Sequence, residues 1–151
     1  MVEGVVLPDN FADLITSIRV IHITTGSALY NYATVDKKVD DALVSGLVTA
    51  IFALVKEVEN DQIKYIQMEK NLTFYAKTED FLIIASIEGE YEFDRAQFHV
   101  ITKIATAFVS AIGKEFYERF GSLANWGGNV DQFPAFDENV AALLERYNIS
   151  I

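Results

Sequence analysis

Val39-Asp40-Asp41-Ala42-Leu43-Val44-Ser45-Gly46-Leu47-Val48-Thr49-Ala50-Ile51-Phe52-Ala53-Leu54-Val55-Lys56-Glu57-Val58-Glu59 has the periodicity of one long helix with two different sides. At about 100° per residue, Leu43, Val44, Leu47, Val48, Ile51, Phe52, Leu54, Val55 and Val58 share one broad arc. A surface helix needs an apolar stripe only a little wider than about 100°, so this arc is more than one core face requires. The other side holds Ala42, Ser45, Gly46, Thr49 and Ala53 where charges would be expected, and Lys56 and Glu57 come only near the end. Such a helix suits burial on both sides. Its bulky side fits a sheet, and its small side lets a second backbone approach closely, where many weak dispersion contacts add up. Packing of the small side within the chain, for example against the amino-terminal segment, is the plain alternative.

Working outward toward the amino terminus, the polar segment Val35-Asp36-Lys37-Lys38 leads into the helix, and Asp40 and Asp41 suit the positive end of its dipole. Before it, residues 18–24 are rich in β-branched side chains and almost continuously apolar, the pattern of a strand covered on both faces. Thr25-Gly26-Ser27 is a hairpin signal, and a second strand returns over 28–34. Pro8-Asp9-Asn10 breaks the first apolar run. Either Asp9 or Asn10 caps a short helix carrying Phe11, Leu14, Ile15 and Ile18, or this segment is an irregular lead-in.

Toward the carboxyl terminus, strands are expected at Ile63–Met68, Leu72–Lys77 and Phe81–Ile87, joined by the short polar turns Glu69-Lys70-Asn71 and Thr78-Glu79-Asp80. The acidic run Glu88–Glu92 precedes a second long helix, from about Phe93 to Phe120. Its stripe is Ile101, Ile104, Ala105, Phe108, Ile112 and Phe116 with Val109 at the margin, opposite Arg95, His99, Lys103, Thr106, Ser110 and Lys114. Trp126-Gly127-Gly128-Asn129 ends that region, and Phe133-Pro134-Ala135-Phe136 opens a last helix with Val140, Leu143 and Leu144. The order is β-β-α-β-β-β-α-α. It predicts an α+β single domain over 1–151, a five-stranded antiparallel sheet with the first long helix on one face and the carboxy-terminal helices on the other.

At 151 residues, 51% hydrophobic, the chain is long enough for a real core. A net charge of −10 argues against nucleic acid as partner and against a polybasic lipid contact. Absence of cysteine removes disulfides and thiolate metal sites. Met1-Val2-Glu3 lacks the pattern of a signal peptide, and no apolar run approaches about 18 residues. The expectation is a soluble cytoplasmic protein without membrane insertion.

Chemical motifs are sparse. Thr24-Thr25-Gly26-Ser27 lacks the second glycine and the lysine of a phosphate loop and reads as a turn. Glu88, Glu90, Glu92 and Asp94 alternate along one segment but lack calcium-loop spacing, so they read as an exposed acidic loop that repels self-association or meets a basic partner. His22 and His99 have no paired ligand spacing and read as packed and solvated side chains. Trp126, Phe133 and Phe136 read as pins for the terminal helix rather than an exposed binding patch. No catalytic residue, cofactor or metal is expected.

In this element order, the hairpin over 18–34, the segment Asp41-Ala42-Leu43-Val44-Ser45-Gly46-Leu47-Val48-Thr49-Ala50-Ile51 and the ending Trp126-Gly127-Gly128 with Phe133 and Phe136 resemble the longin–Roadblock superfamily. The first helix and the two-helix ending are similar to longin-like proteins of archaeal type. The resemblance implies a non-enzymatic, dimerising platform that binds or regulates a small GTPase within a vesicle-trafficking or motility assembly. The implied partner is a second copy or a related longin or Roadblock protein. The implied surface combines Ala42, Ser45, Gly46, Thr49 and Ala53 with Ile63, Tyr65 and Ile66 of a strand at the sheet edge. The competing reading is a small-ligand sensor or enzyme with a pocket beneath the aromatic carboxy-terminal region.

Overall fold

The computed structural model of the protein describes residues 7–34, 64–78 and 80–151. Its β-branched and aromatic runs form β1 (Ser17–His22), β2 (Ala28–Ala33), β3 (Tyr65–Met68), β4 (Asn71–Lys77) and β5 (Phe81–Glu88). These make one five-stranded sheet in the order β2-β1-β5-β4-β3, and every pairing is antiparallel. The two strands read as covered on both faces, β1 and β5, are neighbours inside the sheet, and β5 is buried at each position from Phe81 to Ile87. The architecture is α+β, as the element order predicts.

Alternation along the strands divides the core. On one face Ile18, Phe74 and Ala85 come into register and join the main cluster with Val20, Phe81 and Ile83. On the other, Ile21, Leu82 and Ile84 form a separate buried group with Ile23 and Tyr75 packed against it. The register of β1 on β2 shifts between Val20 and Ile21. Leu29 and Tyr30 both enter the main core there, as the extra residue of a bulge allows. The 39–59 stretch, expected to be a helix covering the second face, lies outside the described residues.

The first described helix, α1 (Arg95–Phe120), covers the main face. Its start falls two residues beyond the expected Phe93 because Asp94 caps it. The Asp94 carboxylate accepts from Gln97 N at 2.7 Å, and Gln97 Oε1 accepts from Asp94 N at 3.1 Å. These bonds form a capping box that satisfies two otherwise orphaned amides. The expected stripe is the observed one, with Val109 and Gly113 fully included and Ile104 at its edge. Gly113 sets how closely α1 lies on the sheet, because a Cβ there would come within 3.3 Å of Ile83 Cγ1 and 3.4 Å of Thr78 Cγ2.

The amino-terminal end takes something from each alternative, a short helical turn held by Asn10 and no helix reaching Ile18. Residues Ala12–Leu14 make one 3₁₀ turn, whose Asp13 N donates to Asn10 Oδ1. Phe133–Phe136 is likewise a 3₁₀ turn, and only then does α2 (Asp137–Arg146) begin, with Val140 and Leu143 buried. Beyond α2 the chain returns to the lead-in. Phe11 N donates to Ile149 O at 2.8 Å and Ile151 N to Asp9 O at 3.2 Å, around an antiparallel bridge between Asn10 and Ser150.

Candidate association surface

Of the residues expected to mediate association, Ala42, Ser45, Gly46, Thr49, Ala53 and Ile63 lie outside the described residues. Tyr65 and Ile66 lie on β3, which ends the sheet order. Ile66 opposes Thr73 and Met68 opposes Asn71, and Tyr75 N donates to Lys64 O at 2.9 Å. In an antiparallel ladder the bonded pairs alternate, so the backbone groups of Tyr65 and Gln67 point to the side of β3 that carries no strand among the described residues. Such an edge is a template for another chain. Its side chains are large and only partly covered. Met68 is 67% exposed and Tyr65 42% exposed, while Ile66 is half-buried on the face opposite Tyr65.

The Tyr65 ring is held from within. Its centroid lies 6.0 Å from Phe74 and 5.8 Å from Phe98 of α1, so α1 fixes the outline of the edge. Lys70 Nζ and Glu90 Oε1, 3.1 Å apart, join the β3–β4 turn to the acidic loop. Gln67 and Met68 fall within the expected Ile63–Met68 strand, although the sequence singles out only Ile63, Tyr65 and Ile66. The signal for Gln67 and Met68 was position alone, the last residues before the Glu69-Lys70 turn.

The other candidates have structural partners. His22 is buried. Its Nε2 lies 2.9 Å from Leu123 O and its Nδ1 2.9 Å from Thr25 Oγ1. A carbonyl only accepts, so Nε2 carries a hydrogen, while the Thr25 hydroxyl can either donate to Nδ1 or accept from it. Both nitrogens hold the Thr25-Gly26-Ser27 turn and the segment after α1 in place, and neither is presented to a substrate. His99 is exposed on α1. In the acidic run, Asp94 is committed as a cap and Glu90 to Lys70, and among the described residues no group of three acidic or imidazole side chains is placed to hold a metal.

Phe133 and Phe136 are fully buried, as pins rather than a patch. Phe116 lies between Phe81 at 5.1 Å, Phe136 at 5.0 Å and Phe133 at 5.5 Å. Among the described residues the rings of Phe116, Phe120, Phe133 and Phe136 pack against one another beneath this region. Trp126, half-buried, meets the His22 ring at 5.1 Å and donates from Nε1 to Asn129 O. At the far side of the cluster the Tyr30 hydroxyl donates to Asp137 Oδ1 at the start of α2. Burial, followed by that hydrogen bond, pushes the phenol well above its ordinary range.

No protein-family model matches the chain, and no curated protein does. Among solved structures the chain is similar to Myxococcus xanthus MglB, at 10% identity and a TM-score of 0.47 over 69% of this chain and 86% of that one. It is similar to an MglB with tetrameric arrangement at 14% and 0.44, over 76% and 98%, and to MglC from Myxococcus xanthus at 11% and 0.40, over 67% and 91%. The fold assignment rests on the strand order and register described above. Among the described residues no helix is long and apolar enough to cross a membrane.

Proposed function

We propose that this chain is a non-enzymatic interaction module of the longin-like, archaeal type, which pairs through β3 and acts as a platform for a small GTPase in a trafficking or motility assembly. The observation that carries the reading is the β3 edge, unpaired on its outer side among the described residues, with Met68 and Tyr65 exposed beside outward-facing backbone groups. Pairing two copies antiparallel along β3 satisfies those groups and buries both side chains about one twofold axis. The small-residue side of the 39–59 stretch, Ala42, Ser45, Gly46, Thr49 and Ala53, is assigned to the same interface, with Ile63, Tyr65 and Ile66. A stable contact of this kind buries on the order of 1,600 Å². A related longin or Roadblock protein pairing in the same way is the heterodimeric form of the proposal.

The cysteine-free sequence makes the test direct. Gln67→Cys is expected to give a disulfide-linked dimer under mild oxidation, while Asn148→Cys, remote from β3, stays monomeric. Ala53→Lys and Ile66→Lys are expected to shift the mass measured by light scattering from dimer to monomer without loss of folded signal. A wild-type chain that remains monomeric at high micromolar concentration, alone and with longin or Roadblock partners, overturns the pairing. The GTPase role is read separately, from capture of GTP-loaded against GDP-loaded GTPases. The isolated chain is expected to turn over neither GTP nor ATP.

A further inference from the structure

A second surface, independent of the β3 edge, stands out by charge. Arg119 pairs with Glu138, Arg146 with Glu115 and Lys70 with Glu90, whereas Lys64, Lys77, Arg95, Lys103 and Lys114 form no ion pair among the described residues. Three of these five lie on α1, where no acidic residue occurs from Arg95 to Lys114. His99, Lys103, Thr106, Ser110, Lys114 and Tyr117 follow one another at helical spacing, and all are exposed. At about 1.5 Å per residue this stripe is about 27 Å long. Toward its carboxyl end it borders an open groove of about 670 Å³, lined by Ala76, Lys77, Gly113, Lys114 and Tyr117 among others. Asp80 and Glu118 also line the groove. The Asp80 carboxylate, which accepts from Ser122 Oγ and Leu123 N, and Glu118 balance Lys77 and Lys114 there, so the groove offers apolar surface and the excess of cations belongs to the α1 stretch from Arg95 to Lys114.

From this segregation of charge we infer that the outer face of α1 docks an acidic, extended peptide segment of a partner protein, with an apolar side chain seated in the groove beside Ala76 and Gly113. About eight extended residues, at about 3.3 Å each, match the stripe. Charge range selects this occupant over larger polyanions. With a net charge of −10 the molecule as a whole repels a nucleic acid or an anionic membrane. A short segment lying within the screening length of about 8 Å responds chiefly to the cations beside it.

The test uses the full chain and a fluorescein-labelled peptide of glutamates flanking one phenylalanine, read by anisotropy at low and physiological salt. Wild type is expected to bind, more weakly as salt rises. The pair Lys103→Ala and Lys114→Ala is expected to weaken binding about tenfold, equivalent to about 1.4 kcal/mol. A control with the same net charge, Gln132→Glu with Asn148→Glu, is expected to leave it within about twofold. Absence of wild-type binding, or equal loss in the control, overturns the inference. So does tighter binding of a single-stranded oligonucleotide or a phosphatidylserine vesicle than of the peptide. A lysine pair whose only effect is on sedimentation of the chain alone assigns the face to a second copy and overturns it as well.

Discussion

His22 and Tyr30 show how single buried polar groups act as joints here. Replacing His22 with alanine removes the donor from Leu123 O in a buried site, which costs about 2 kcal/mol, and frees the Trp126 ring that rests on the imidazole. Because Trp126 is the only tryptophan, a shift in intrinsic fluorescence together with the lower urea midpoint reads both effects. Tyr30→Phe removes one hydrogen bond and is expected to cost about 1 kcal/mol at neutral pH. The wild-type phenol also carries a pH dependence. Its folded-state pKa is raised, so the unfolded chain loses the proton first, and stability falls as pH rises from about 10 upward. Tyr75, raised by burial, acts in the same direction. Tyr30→Phe should therefore flatten the alkaline limb of the stability profile without abolishing it. A slope identical to wild type would show that the hydroxyl has no such role.

Among the elements, α1 is the most legible, and Gly113 is where its packing is decided. Alanine at this position gains about 1 kcal/mol of helix propensity but presses on Ile83 and Thr78, so Gly113→Ala is expected to change stability little. Gly113→Val has no such compensation and should cost about 1–3 kcal/mol by overpacking; equal midpoints for the two variants would contradict the close approach. The stripe on α1 could be read in advance because burial on one side imposes a period on the residues themselves, and the unbroken apolar runs of β1 and β5 because burial on both faces removes one. The 3₁₀ turns could not. Phe11, Leu14 and Ile15 have helical spacing, yet Asn10 closes a local turn on Asp13 and the chain then pairs with Ile149 and Ile151. That pairing is a long-range contact with no local signature. The edge position of β3 came from the family resemblance rather than from its residues, since Tyr65 and Met68 would look the same in an inner strand. The surplus of cations on α1 was visible as a polar face, but its isolation from acidic partners emerges only from the folded arrangement.

For the molecule as a whole, the pairing of β1 with β5 joins residues as distant as Ser17 and Ser86, whereas β1–β2 and β3–β4–β5 are local hairpins. Local hairpins form within about 1–10 μs, but the sheet is incomplete until the two strand groups meet, and contacts of long sequence separation slow folding. The seam where they meet, with Val20 opposite Ile83, is expected to lie in the transition state. The docking of α2 through Val140 is expected to follow it. Val20→Ala should then chiefly lower the refolding rate, and Val140→Ala chiefly raise the unfolding rate, which the two arms of a denaturant chevron separate. The reverse pattern would place the carboxy-terminal helix first and the strand seam last. If the seam forms early, a chain emerging from the ribosome holds its first hairpin unpaired until β5 has been made, and its exposure during synthesis is set by the length of chain between them.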